Sequence, residues 1–347
     1  PVPRHLFSSA LALSICRFDG DQNNRQAVPR KLAETEGYKA PFTIICDALG
    51  TTMAGNGTGP PCLPALRVLT LTSNPLGKLG AISIASAARQ LPRLSSCLLK
   101  HCHLCHPPPF DAAAAAERDA LAAGGHAHKK KEKTEKELER ERAKAAALEA
   151  TAVEGARGVK VLCSALRNVR IERLDLAANS LGMHGARAFA AIVGDSAAGL
   201  SGSALAASIV FLDLSFNDLK NAGAISAIEA LCANGTVPKL EYLSLKSNHI
   251  GPKAAAVVCK LISKGGLPML QTLDISINKV GQQTYVSEFQ EWAKEGVEGM
   301  IELIERSRHM QLKVMHIANN HIEKQPLQQL QSMADRAQLQ LVYHREP

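Results

Sequence analysis

The sequence predicts an α/β solenoid, in which short parallel strands line one side of a stack of repeated units and α-helices line the other. Three observations point there. The pattern L-x-x-L-x-L-x-x-N-x-L recurs seven times, helix-like sequence follows the copies, and the shortest spacings between copies fall between 28 and 31 residues. Such a period marks units that bury an apolar face only by stacking on their neighbours. With 46% hydrophobic residues the 347-residue chain can build that core and is not a disordered polypeptide. Aromatics make up 4%, so the core must come from Leu, Ile, Val, Ala and Cys.

The units follow in order. Leu66, Leu69, Leu71, Asn74 and Leu76 fill the first copy, and Leu94, Cys97, Leu99, Cys102 and Leu104 the second. Ile171, Leu174, Leu176, Asn179 and Leu181 form the third; Ile209, Leu212, Leu214, Asn217 and Leu219 the fourth. Leu240, Leu243, Leu245, Asn248 and Ile250 come next, then Leu270, Leu273, Ile275, Asn278 and Val280, and finally Leu312, Met315, Ile317, Asn320 and Ile322. The ninth-position residues, Asn74 to Asn320, are spaced by 28, 77, 38, 31, 30 and 42 residues. The alternating Leu positions turn one side of a short strand inward. An Asn side chain supplies both a donor and an acceptor to the main chain of the turn that follows. Behind the strands, Leu76-Gly77-Lys78-Leu79-Gly80-Ala81 and Leu181-Gly182-Met183-His184-Gly185-Ala186 lead into helical spacing, and Gly223-Ala224 and Ile250-Gly251 repeat the arrangement. Small residues there let helix and sheet backbones approach.

These residues resemble the ribonuclease-inhibitor-like class of leucine-rich repeats, whose units near 28 residues carry a true helix and place Asn or Cys at the ninth position. The resemblance covers roughly residues 62–343, less one insertion. It implies a horseshoe or arc with parallel strands on the concave face and helices on the convex face. The class includes inhibitors, GTPase-activating proteins, innate-immune sensors and structural subunits of assemblies, so the fold alone does not choose a function.

Several segments break the period. Residues 1–61 hold two weak apolar strings, 11–18 and 42–49, expected as an N-terminal cap with degenerate first repeats; residues 6–16 fit that cap better than a targeting signal. Residues 107–152 account for the 77-residue interval and are expected as an insertion within one repeat, helical or disordered. Between Lys129 and Lys144 this insertion carries eight basic residues against five Glu, and Glu132/Lys136, Glu137/Arg140 and Glu141/Lys144 stand at helical spacing. That stretch holds +3 of the chain's net +8 and is a candidate contact for an acidic surface. Residues 285–309 are expected as a second, helical insertion with Phe289, Trp292, Met300, Ile301 and Ile304 on one face, packed on the convex side in preference to standing exposed as a partner-docking helix, and residues 344–347 as a C-terminal tail.

Chemistry is sparse. Phosphate-loop, nucleophile-elbow and H-E-x-x-H patterns are absent, and the calcium-loop-like start at Asp19 lacks the required Gly and final Glu. Cys102 and Cys105, with His101, His103, His106, His126 and His128, are zinc-ligand types. Cys102, however, is already accounted for as a ninth-position residue. Nine cysteines without a regular disulfide-scaffold spacing point to reduced, buried thiols and an intracellular setting, which leaves the sequons at Asn56 and Asn234 without weight. No apolar run reaches 18 residues, and basic and aromatic residues do not interleave, so neither a membrane span nor specific nucleic-acid recognition is expected.

If positions four and six of each strand face the core, positions three and five face outward. They bring Arg173, Phe211 and Tyr242 beside Asp175, Asp213, Ser244, Asp274 and His316, a combination suited to a partner with basic and apolar groups. The expected protein is thus a non-catalytic interaction scaffold without a cofactor or metal, a structural subunit of a cytoplasmic, cytoskeletal or ciliary assembly with several protein partners. One alternative is a regulator of a single partner enzyme, as in GTPase-activating or nuclease-inhibiting relatives of the class. A second is a zinc-binding module at Cys102 and Cys105.

Overall fold

In the computed structural model the residues described are 12–14, 65–74, 76–89, 91–105, 135–194, 203–233, 236–281 and 290–343. They form one open parallel sheet of nine three-residue strands in strict chain order: β1 (Ala12–Ser14), β2 (Val68–Thr70), β3 (Ser96–Leu98), β4 (Arg173–Asp175), β5 (Phe211–Asp213), β6 (Tyr242–Ser244), β7 (Thr272–Asp274), β8 (Val314–His316) and β9 (Gln340–Val342). The register never slips. Leu69, Cys97, Leu174, Leu212, Leu243, Leu273 and Met315 are successive partners at the middle of each strand, all buried. A slip of one residue would turn every one of them to solvent, so burial itself holds the register.

Seven of the helices make the opposite layer, each packed on the next: α1 (Gly77–Ala88), α2 (Glu135–Leu166), α3 (Gly182–Val193), α5 (Lys220–Cys232), α6 (Pro252–Leu261), α7 (Gln290–Ser307) and α8 (Lys324–Ala337). The short α4 (Ala204–Ser208) leads into β5; Ser203 caps it, its hydroxyl accepting from the Ala206 N–H at 3.3 Å. Parallel strands sit about 4.8 Å apart, whereas packed helices need about 8–10 Å. A stack joining the two must curve with its strands inside, which defines a concave strand face and a convex helix face.

Some of the stretches that break the period find a place in the described structure. β1 lies within the first N-terminal apolar string and pairs directly with β2, giving a strand ahead of the first full motif; the string at 42–49, the tail at 344–347, Phe289, and His106, His126 and His128 lie outside the described residues. β3 pairs directly with β4, so the 77-residue interval is contained in one unit. Residue 152 is not a boundary: α2 runs unbroken for 32 residues, and its second half is the unit's convex helix, with Val159, Leu162, Cys163 and Leu166 buried. The helix expected within 285–309 does pack on the convex side, but as an insertion it needs correction. α7 lies between α6 and α8 and buries Met300, Leu303 and Ile304, so it is that repeat's own convex helix. Trp292 falls within it.

Toward its N-terminal end α2 leaves the core, and Glu139, Arg140, Arg142 and Ala146 are exposed. Deleting residues 124–144 is therefore expected to move the midpoint of thermal unfolding by no more than about 2 °C. A larger loss in a melting experiment would place part of that segment in the stabilising core.

Candidate protein-binding surface

The turn after each strand sets the edge of the concave face. Asn179 shows how it closes. Its Nδ2 donates to the carbonyls of Leu99, Leu176 and Ala177 at 2.7, 3.0 and 3.1 Å, while its Oδ1 accepts from the N–H groups of Cys102 and Leu104 in the preceding unit at 2.9 and 3.3 Å. Asn217, Asn248 and Asn278 each accept in the same way from the unit before, and all are 2% exposed or less. The chain passes through left-handed φ on either side of these residues, at Ala178 and Ser180, Phe216 and Asp218, and Ser247 and His249. Such backbone is costly for L-residues, and the buried amide holds it in place.

The row has two irregular rungs. Asn74 still donates to Leu71 O at 2.9 Å, but Cys102 beside it has no carbonyl; its Sγ donates to the same Leu71 O at 3.0 Å, and its own N–H continues the row to Asn179. At the other end Asn320 donates to Ile275 and Ile317, but its Oδ1 has no protein partner among the described residues. The break falls in the unit with the 42-residue spacing.

Cys102 and Cys105 are both buried, and burial pushes each thiol up to about 12. Among the described residues no group of three or more His, Cys, Asp or Glu could hold a metal ion. The Cys102 thiol serves instead as a rung of the turn row.

On the concave face β4, β5 and β6 bring Arg173, Phe211 and Tyr242 side by side. The Arg173 guanidinium lies over the Phe211 ring, 3.7 Å from its centroid, and Phe211 stacks on Tyr242 with centroids 4.3 Å apart and planes 4° from parallel. A cation and two rings are thus held in one pile across three strands, half-buried apart from the exposed Arg173. Asp175, Asp213, Ser244, Asp274 and His316 align as the adjacent row.

These carboxylates also have local work. One oxygen of each accepts the N–H two residues on: Asp175 from Ala177 at 3.0 Å, Asp213 from Ser215 at 2.8 Å and Asp274 from Ser276 at 2.9 Å. Burial, with the Asp213 charge secondary, raises the Asp175 carboxyl, and burial followed by the charges of Asp213 and Asp274 pushes the Tyr242 hydroxyl up to about 12. Ser244 and Asp274, at 2% and 9% exposure, are recessed and offer a partner little area. Sequence reasoning also passed over the eighth motif position: Phe216 and Ile277 stand exposed there at 47% and 37% on the edge of the concave face. A large apolar residue where the pattern asks for no core contact was the available signal.

A stacked, open array of strand–helix units with an aligned turn row defines a repeat solenoid. The family model described as "Leucine Rich repeat" matches residues 207–226 and 238–259, which hold β5 with the start of α5 and β6 with most of α6. With the nine-stranded sheet, these matches make the fold an α/β leucine-rich-repeat solenoid and support a leucine-rich-repeat protein with a protein-interaction module. No curated protein matches the chain. No helix among the described residues is long and apolar enough to cross a membrane.

Proposed function

We propose that this chain is a non-catalytic scaffold that binds protein through its concave face, as one subunit of a larger intracellular assembly with several partners. The observation that carries the reading is the pile of Arg173, Phe211 and Tyr242. Tyr and Arg are the residues in which interface energy concentrates, and these side chains are already ordered, so a partner loses little entropy by docking on them. The neighbouring Asp175 and Asp213 favour basic groups flanking an apolar centre on that partner. The stretch from Lys129 to Lys144, with eight basic residues against five Glu, is a further contact suited to an acidic surface, and a subunit touching several neighbours accords with a cytoskeletal or ciliary setting.

Replacing Phe211 and Tyr242 together by Ala is expected to reduce partner recovery by at least about tenfold in cross-linking mass spectrometry, with the thermal transition retained. Undiminished recovery by a folded variant would discard the concave-face reading. Co-sedimentation of the wild type with a large particle separates the subunit from a regulator that acts on a single enzyme.

A further inference from the structure

Away from the concave face, the convex surface has a groove of about 770 Å³ along α2, bordered by the end of α1 and by α3. Its exposed cations are Arg89 after α1, Arg157 and Lys160 on α2, and Arg187 on α3. The apolar part is formed by Val153, which is 53% exposed, with Val161 and Ile192. Val153, Arg157 and Lys160 follow one another at helical spacing, so cationic and apolar groups share one stripe of α2.

The charges do not cancel within the groove. Its carboxylate, Glu154, is bound by Lys78 at 2.5 Å and lies 3.6 Å from Arg157; the hydrogen bond from Lys78 is the main reason its carboxyl is held below the usual range. His184 is paired with Glu149 at 3.0 Å. Arg89, Lys160 and Arg187 have no ion pair among the described residues.

We infer that this groove is a second docking site, taking an acidic amphipathic helix of a partner protein. Carboxylates on that helix meet the three unpaired cations, and its apolar edge covers Val153, Val161 and Ile192. The stretch of α2 from Val153 to Ser164 rises about 16 Å, room for roughly three turns of such a helix. This site is independent of the concave face.

The test uses the full chain and a fluorescein-labelled peptide helix with Glu on one face and Leu at i, i+3, i+4 and i+7 on the other. Three further probes are the same helix with Lys for Glu, phosphatidylserine vesicles, and single-stranded RNA. The wild type is expected to bind the Glu/Leu helix, more weakly as salt rises, and not the Lys/Leu helix. Changing Lys160→Glu with Arg187→Glu should weaken it by at least about tenfold, and Lys160→Gln with Arg187→Gln by less. Lys160 and Arg187 are both exposed, so the thermal transition should be kept, and Phe211→Ala with Tyr242→Ala should bind the helix like the wild type, which separates this site from the concave one. No binding of the Glu/Leu helix, or binding indifferent to both substitution pairs, overturns the proposal. So does charge-reversal-sensitive binding of the vesicles or RNA without binding of the helix.

Discussion

Replacing Asn248 by Ala is expected to destabilise the protein by about 3–5 kcal/mol, read as a fall in the urea midpoint. Asn248 Oδ1 accepts from the N–H groups of Asn217 and Leu219 at 3.1 and 3.3 Å, and Nδ2 donates to the carbonyls of Leu214, Leu245 and Lys246 at 2.9, 3.0 and 3.2 Å. The side chain is 0% exposed, so water does not replace what Ala removes. Each polar group left buried and unpaired costs about 1–3 kcal/mol; the N–H groups of Asn217 and Leu219 lose their acceptor, whereas the carbonyls of Leu214, Leu245 and Lys246 keep a donor in Asn217 Nδ2, Asn278 Nδ2 and the Phe216 N–H. Asn248→Cys should lose less than Asn248→Ala, because a thiol fills more of the buried space, as Cys102 does at the same motif position. A loss under about 1 kcal/mol in the Ala variant would mean that the turn row follows the packing and does not hold it.

Gly299→Ala should also destabilise, by about 2–3 kcal/mol, where the same change on an exposed helical surface would stabilise by about 1 kcal/mol. The sign reverses because a Cβ on Gly299 would stand 2.6 Å from the Cα of Ala256 on α6, and one on Gly296 would stand 2.7 Å from the carbonyl oxygen of Val280. The two glycines let α7 approach its neighbours at backbone distance. Since the closest atom is a Cα, adding Ala256→Gly should not rescue the variant. A gain in the thermal midpoint for Gly299→Ala would show that α7 packs more loosely than this.

The strand side of the molecule was legible in the sequence. Leu69, Leu212 and Leu243 sit at the same motif position, and a side-chain period of two makes equal positions into cross-strand partners. The rows of outward residues, Arg173 with Phe211 and Tyr242 among them, followed from that alignment. The ring stacking did not, nor did the use of one oxygen of Asp175, Asp213 and Asp274 to accept a backbone N–H; a motif lists which residues lie outward but not the rotamers that join them. The left-handed backbone that exposes Phe216 and Ile277 was hidden for a similar reason, since it belongs to the turn and not to any apolar pattern.

On the helix side much less was readable. The sequence suggested one insertion ending near residue 152 and another over 285–309, yet α2 crosses the first boundary and α7 is an ordinary member of the convex layer. Charge and apolar spacing change along α2, but neither breaks a helix, so composition marked an edge that hydrogen bonding ignores. Nothing in the sequence marked Gly296 and Gly299 as required, because their closest neighbours, Val280 and Ala256, come near only once the helix packs on the stack.

By itself, then, the sequence determined the repeating unit, the parallel order of the strands and the residues of the concave rows, because a short-range pattern repeated along the chain must line up once its units stack. Tertiary structure decided how the convex helices meet, where glycine is required, and which cations gather around Val153. Those depend on the rotational phase of each helix against the next, and connections that lengthen the interval from 28 to 42 residues, or to 77 at the insertion, leave that phase to packing.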